Sequence, residues 1–212
     1  MSEINAVIMG IQGSGKGTQA SILSAQYRFT HISTGDIFRS EYVKATPLGL
    51  EAYPYWSKGV YVPDKLTISM FGNNLAPNKN LFDGFPRTIP QVQALDDLLS
   101  ERKSRVTHVI ALELSDDEAL NRINGRKICT GCATIYGAAK QPLEPDVCDS
   151  CKNPLIVRED DTREKALIRI HAHHTKTKPI LDLYAARDIV HHINANSPPA
   201  QVTANILGVL NL

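Results

Sequence analysis

Ala6-Val7-Ile8-Met9 running into Gly10-Ile11-Gln12-Gly13-Ser14-Gly15-Lys16-Gly17-Thr18 decides the fold. Four apolar residues read as a buried strand. The Gly-x-x-x-x-Gly-Lys spacing then predicts a phosphate loop opening a helix. Glycines let the backbone curl until several N–H groups point inward at the helix N-terminus, a nest for a polyphosphate. Lys16 would reach the outer phosphates as a point charge. A glycine-rich turn with an incidental lysine is the bland alternative, and the strand-to-helix setting argues against it.

Outward from that loop, strand-like runs recur around Phe29 to Ile32, at Leu81-Phe82, at Val106 to Leu114 and at Ile189 to Ile193. Helical features separate them. Ser115 followed by Asp116, Asp117 and Glu118 predicts an N-cap with an acidic first turn. Asp161 and Glu164 repeat the pattern before a helix expected to carry Leu167 and Ile170 on one face. Strands alternating with helices predict an α/β fold with a parallel sheet. With 42% hydrophobic residues the chain can build one core, and a net charge of +1 gives it no general pull toward nucleic acid or a membrane. No apolar run is long enough to span a bilayer. Met1-Ser2-Glu3-Ile4-Asn5 lacks the basic start of a signal peptide, so a cytoplasmic setting is expected.

Two segments break the alternation. The stretch 33–62 reads as short helices. From about Lys127 to Val157 there is little helical periodicity, but the four cysteines of the chain lie there, as Cys129-x-x-Cys132 and Cys148-x-x-Cys151. Each knuckle aims two thiolates at one centre, and two knuckles complete a tetrahedron. Four protein ligands leave no open position, so zinc would be structural. Iron or cobalt would also suit four thiolates, and disulfides are the alternative that a reducing compartment disfavours.

Gly-Lys-Gly-Thr-Gln at 15–19, His31-Ile32-Ser33-Thr34-Gly35-Asp36, Gly59-Val60-Tyr61-Val62-Pro63-Asp64, Asp83-Gly84-Phe85-Pro86-Arg87-Thr88, Arg122-Ile123-Asn124-Gly125-Arg126 and Arg158-Glu159-Asp160-Asp161 are together similar to the adenylate kinases, over nearly the whole chain. The resemblance implies a five-stranded parallel sheet with a core of 1–32, 63–124 and 162–212, an AMP-binding insertion at 33–62 and a zinc-stabilised lid at 125–161. It implies a monomer converting ATP and AMP to ADP, with magnesium accompanying ATP. ATP would bind Gly13, Ser14, Gly15, Lys16, Gly17, Thr18, Arg122, Arg126, Ile135, Tyr136 and the backbone of Ser197. AMP would bind Thr34, Arg39, the backbone of Val60, Tyr61 and Val62, then Gly84, Phe85, Pro86, Arg87, Gln91, Arg158 and Arg169. Lys16, Arg87, Arg126, Arg158 and Arg169 would neutralise the transferred phosphoryl group, with Asp83 holding the hydrated magnesium. Planar guanidinium forks suit a phosphate, and a glutamine amide suits the edge of adenine. No histidine is nominated, because the AMP phosphate is already ionised; His171, His173 and His174 are read as surface or packing residues.

Three positions depart from the family's usual pattern. Gln12 stands for a proline, Tyr61 for a smaller aliphatic residue, and Lys127 for a second arginine after Arg126. A UMP or CMP kinase is the nearest rival, and Thr34 and Thr88 favour AMP. A zinc-knuckle switch binding nucleic acid would want a basic, aromatic-rich knuckle, whereas Glu144 and Asp146 oppose Lys140 between the cysteine pairs.

Overall fold

The computed structural model describes residues 3–72, 75–77, 79–132, 134–137, 140–158 and 161–212. Glu159 and Asp160 of the quoted motif therefore lie outside the described residues. Strand β1 (Ile4–Met9) is buried at all six positions, as a central strand covered on both faces must be. It pairs in parallel with β3 (Lys79–Asp83) on one side and β4 (His108–Glu113) on the other. β2 (Thr30–Ser33) flanks β3, and an outer strand, Val190–Asn194, flanks β4, giving five parallel strands. The side on which the chain adds strands reverses at β1. Crevices at such switch points, beyond the carboxyl ends of the strands, are where open α/β sheets bind ligands.

Alternation along β1 divides the core. Ile4, Ala6 and Ile8 pack on one face with Ala20 and Leu23 of α1 (Lys16–Tyr27) and with Val202 and Ile206 of the C-terminal helix Pro199–Leu210. Val7 and Met9 pack on the other with Phe82, with Val92 and Leu95 of helix Ile89–Ser100, and with Ile180 and Tyr184 of helix Lys178–Ala185. The buried Asn5 is satisfied by Ser104, the Arg105 carbonyl and Asn80, so it costs little.

The segment 33–62 is helical as expected. Helix α2 (Thr34–Val43) is capped by Ser33, and α3 (Pro47–Trp56) by Thr46. They cross at Gly49, where an added Cβ would lie 2.3 Å from the Glu41 carbonyl carbon. Backbone cannot yield that distance without parting the helices. Gly49→Ala gains about 1 kcal/mol of helix propensity but should lose about 3 kcal/mol to overpacking. Thermal melting should show the net loss, and an unchanged midpoint would contradict the close crossing. Helix α4 (Asp64–Phe71) follows, then α5 (Ile89–Ser100), α6 (Asp116–Ile123), α7 (Arg163–Ala172), α8 (Lys178–Ala185) and α9 (Pro199–Leu210).

Ser115 caps α6 as expected, its hydroxyl accepting from the Glu118 N–H at 3.3 Å. The cap of α7 differs from expectation. Thr162 accepts from the Lys165 N–H, because Asp161 is engaged by Arg126 instead. The buried face of α7 is Ala166 and Ile170, whereas Leu167 is 46% exposed. A π-helical turn, His173–Thr177, joins α7 to α8.

The cysteine-bearing stretch contains a small antiparallel sheet that periodicity did not predict. Its strands are β5 (Lys127–Cys129), β6 (Ile135–Tyr136) and β7 (Leu155–Ile156), in the order β6-β5-β7; the outer core strand Val190–Asn194 is β8. Its own core is Cys129, Tyr136, Cys148 and Leu155.

Candidate active site

The phosphate loop leaves β1 and enters α1 through Gly15, which is left-handed at φ 91° and provides no side-chain cap. The first N–H groups of α1 are thus left to a ligand. Gly13 shares the positive φ, and a Cβ on it would strike the Ala119 carbonyl at 2.7 Å. Lys16 folds back over the loop, its Nζ donating to the Gly10 carbonyl at 2.7 Å and the Ile11 carbonyl at 2.9 Å.

Burial holds the Lys16 ammonium down at about 8. Asp83 opposes that fall, and Arg87, Arg126 and Arg169 add to it. Because this pKa is depressed on folding, the destabilisation from Lys16 is fully present below about pH 8 and disappears as pH rises past the ordinary value of 10.5. A bound polyphosphate restores the charge. ATP binding should therefore take up protons, from few near about pH 7 toward one near about pH 9. Calorimetry in buffers of different ionisation heat measures this, and a proton count independent of pH would contradict it.

Asp83 ends β3 beside Ile8 of β1. Burial pushes its carboxyl up, but the His31 hydrogen bond at 3.3 Å and the charges of Lys16 and Arg87 overcome this and hold it below the usual carboxylate value. The same contact raises His31 against its own burial. An ionised carboxylate at this crevice fits a hydrated magnesium ion.

Facing the phosphate loop, Arg87 is held at several points. Its N–H donates to Gln91 Oε1 at 2.8 Å, its Nε to the Gly84 carbonyl at 2.8 Å, and its guanidinium lies over the Tyr61 ring at 4.9 Å. Thr34 also donates to the Gly84 carbonyl, at 3.0 Å. Gln91, expected against adenine, spends part of its amide on the protein: it accepts from Arg87 and donates to Asp64 at 2.7 Å. One N–H and one lone pair are left over. Arg39 pairs with Asp36 at 2.5 Å.

On the other side, Arg126 makes a bidentate pair with Asp161, whose side chain is fully buried. Gln12 donates to the same carboxylate at 2.7 Å, a bond that a proline could not make. Arg122 donates to Glu118 and, at 2.9 Å, to the Ala195 carbonyl, which draws the end of α6 to the loop containing Ser197. A Cβ on Gly17 would stand 3.4 Å from Ile135 Cδ1, so the small sheet rests over the first turn of α1.

These groups line one cavity of about 1170 Å³. Pockets for one small ligand enclose about 300–1,000 Å³, so this cavity is larger than one such ligand requires. Every site residue expected from the sequence faces it except Phe85 and the cysteines other than Cys132. Phe85 is buried and stacks on Phe71 at 4.0 Å, leaving its backbone to shape the turn.

The four cysteine Sγ atoms lie within 4.8 Å of one another, a spacing that fits a tetrahedral metal site with bonds of about 2.3 Å. Backbone N–H groups of Gly131 and Cys132 point at the Cys129 sulfur, a donor set that suits thiolates. Tyr136 is buried with its hydroxyl donating to Cys148 Sγ at 3.5 Å and accepting from the Asp149 N–H. The former bond holds Cys148 down at about 5.

The sequence profile described as adenylate kinase matches residues 8–189. The curated adenylate kinase of Lachnospira eligens is 37% identical over 209 residues, covering 96% of this chain and 98% of that protein. That of Acidothermus cellulolyticus is 40% identical over 209 residues, 96% of each chain, and that of Desulfitobacterium hafniense 38% over 212 residues, 98% of each. The chain belongs to the adenylate kinase family.

Three features of this adenylate kinase family member escaped the sequence reading. His173 lines the cavity rather than the surface, and burial with the charges of Lys16, His174 and Arg87 holds it down at about 3, hence neutral. Thr177 is buried and reaches the Arg87 carbonyl at 3.3 Å. Both sit on the π-helical turn, which has no signature in periodicity. His31, quoted only within a motif, is the partner of Asp83. His171 and His174 are exposed as expected, the latter beside Asp116 at 2.9 Å. Among the described residues no helix is long and apolar enough to cross a membrane.

Proposed function

We propose that the chain catalyses ATP + AMP = 2 ADP by direct phosphoryl transfer within this one cavity. The observation that supports the reading is that the loop around Lys16 and the fork of Arg87, each suited to a phosphate, line one cavity. ATP takes the phosphate loop, with Gly13 to Thr18 cradling its phosphates and Arg122, Ile135, Tyr136 and the Ser197 carbonyl bounding its base. AMP takes the side of Thr34, Arg39, Val60 to Val62 and Gly84 to Gln91.

Transfer needs in-line positioning and cancellation of charge on the moving phosphoryl group. Lys16, Arg87, Arg126, Arg158 and Arg169 supply fixed positive charge, and the ionised AMP phosphate needs no base. Asp83 would hold the magnesium that accompanies ATP, which when bound neutralises the β- and γ-phosphate oxygens. Segment 33–62 acts as an AMP-side flap and 125–161 as an ATP-side lid, and their closure excludes water that would otherwise take the phosphoryl group. Zinc at Cys129, Cys132, Cys148 and Cys151 holds the lid together. We place the enzyme in the cytoplasm as a monomer, where thiols stay available to metal.

A coupled assay offering ATP with AMP, UMP or CMP in turn tests the reading. AMP should be the preferred acceptor by a wide margin, and preference for a pyrimidine monophosphate would make the chain a different nucleoside monophosphate kinase.

A further inference from the structure

The backbone of residues 60–62 accounts for a place beside AMP, but it makes no use of the tyrosine side chain at 61. The side chain has its own connections. Its ring lies under the Arg87 guanidinium at 4.9 Å, and its hydroxyl is 2.9 Å from Thr177 Oγ1. Thr177 has one hydroxyl hydrogen, and the geometry commits it to the Arg87 carbonyl at 3.3 Å. Tyr61 must therefore donate to Thr177, which donates to Arg87. The relay is dry at its centre, since Thr177 is 5% exposed.

One side chain thus touches Arg87 twice, at the face of its fork and, through Thr177, at its backbone. With Gly84 holding Nε and Gln91 holding the backbone N–H, the guanidinium plane is fixed. Among the described residues no carboxylate pairs with its two terminal nitrogens. A second cation, Lys176, has its Nζ 5.9 Å from the centroid of the same ring, so the ring faces a further positive group besides Arg87.

We propose that Tyr61 is a positioning residue that pre-sets the plane of Arg87, so that its terminal nitrogens meet the acceptor phosphate as a ready-made fork. The inference rests on the AMP-side reading above. A fork already oriented loses less freedom on binding, so the gain should appear in the affinity for the monophosphate and not for ATP.

The test is a kinetic comparison of Tyr61→Leu, Tyr61→Phe and Thr177→Val with the wild-type enzyme. Tyr61→Leu removes the ring and relay and should raise the KM for AMP about tenfold, with the KM for ATP within about twofold. Tyr61→Phe and Thr177→Val keep the ring and break only the relay, and should raise it about threefold. In an Arg87→Ala background, Tyr61→Leu should add almost nothing to the KM for AMP, because the group it orients is gone. A general loosening of the fold would instead add equally in both backgrounds and move both KM values, and either outcome overturns the proposal. If Tyr61→Leu fails to fold, the two relay variants decide. Wild-type protein that makes ADP while all three variants bind AMP normally refutes the role of Tyr61 alone; wild-type protein that makes no ADP refutes the functional reading beneath it.

Discussion

Lys16→Met should lower turnover about 1000-fold while leaving the fold intact. The ammonium is the charge nearest the loop that cradles the transferred group, and removing one such preorganised donor costs about 10²–10³ in rate. The loss lies at the upper end here because the Lys16 ammonium is itself buried, where charge is worth most. A thousandfold loss corresponds to about 4 kcal/mol of transition-state stabilisation. Stability should move little, since two effects oppose. The substitution ends the cost of burying an ammonium whose pKa is already pushed down to about 8, but it strips the Gly10 and Ile11 carbonyls of a donor. Turnover in rapid-quench or coupled assays, paired with thermal melting, checks both halves. A variant keeping a tenth of the wild-type rate would show that Lys16 is not at the reacting phosphates.

Chelating the zinc proposed for the cysteine cluster should unfold residues 127–157 and abolish activity while the five-stranded core survives. The small sheet has three strands of two or three residues and four buried core residues. Such a unit cannot offset its own chain entropy, and structural zinc sites contribute about 10–16 kcal/mol of apparent binding energy. Activity should go with it, because Arg126 and Arg158 flank this segment and would lose their placement over the phosphate loop. Limited proteolysis of chelated protein, or of Cys148→Ser, should cut within this stretch first, with most far-ultraviolet dichroism retained. Metal-free protein with unchanged protease resistance and melting temperature would remove the structural role.

What the sequence made legible follows from how local each signal is. The phosphate loop is a contiguous spacing with a single backbone solution, so its glycines, Lys16 and the helix they open are where the motif puts them. The three central core strands are largely buried runs and the two edge strands are less so, and their alternation with helices was enough. Strands of two residues carry no period, so the small sheet was visible only as cysteines and turns. The cap of α7 went to Thr162 because Asp161 gains more from Arg126 and Gln12 than from an N-terminal N–H, a long-range competition that local pattern cannot weigh. Leu167 was misassigned because Ile170 shares a side of the helix with both residue 167, at i−3, and residue 166, at i−4, and only the packing puts the buried stripe through Ala166. His173 and Thr177 enter the site through a π-helical turn, which adds a residue to the helix without marking the sequence. Gln91 was assigned by chemistry to a base, yet it also bonds Arg87 and Asp64, since one amide can serve both.

The central claim is that a phosphoryl group passes directly from one nucleotide to the other in a single closed cavity. ATP labelled at its γ-phosphorus, incubated with unlabelled AMP, magnesium and the purified protein, tests it most directly. Label should appear at the β-position of ADP, with two ADP formed for each ATP consumed and almost none as inorganic phosphate. Label released mainly as inorganic phosphate in the presence of saturating AMP would contradict the account.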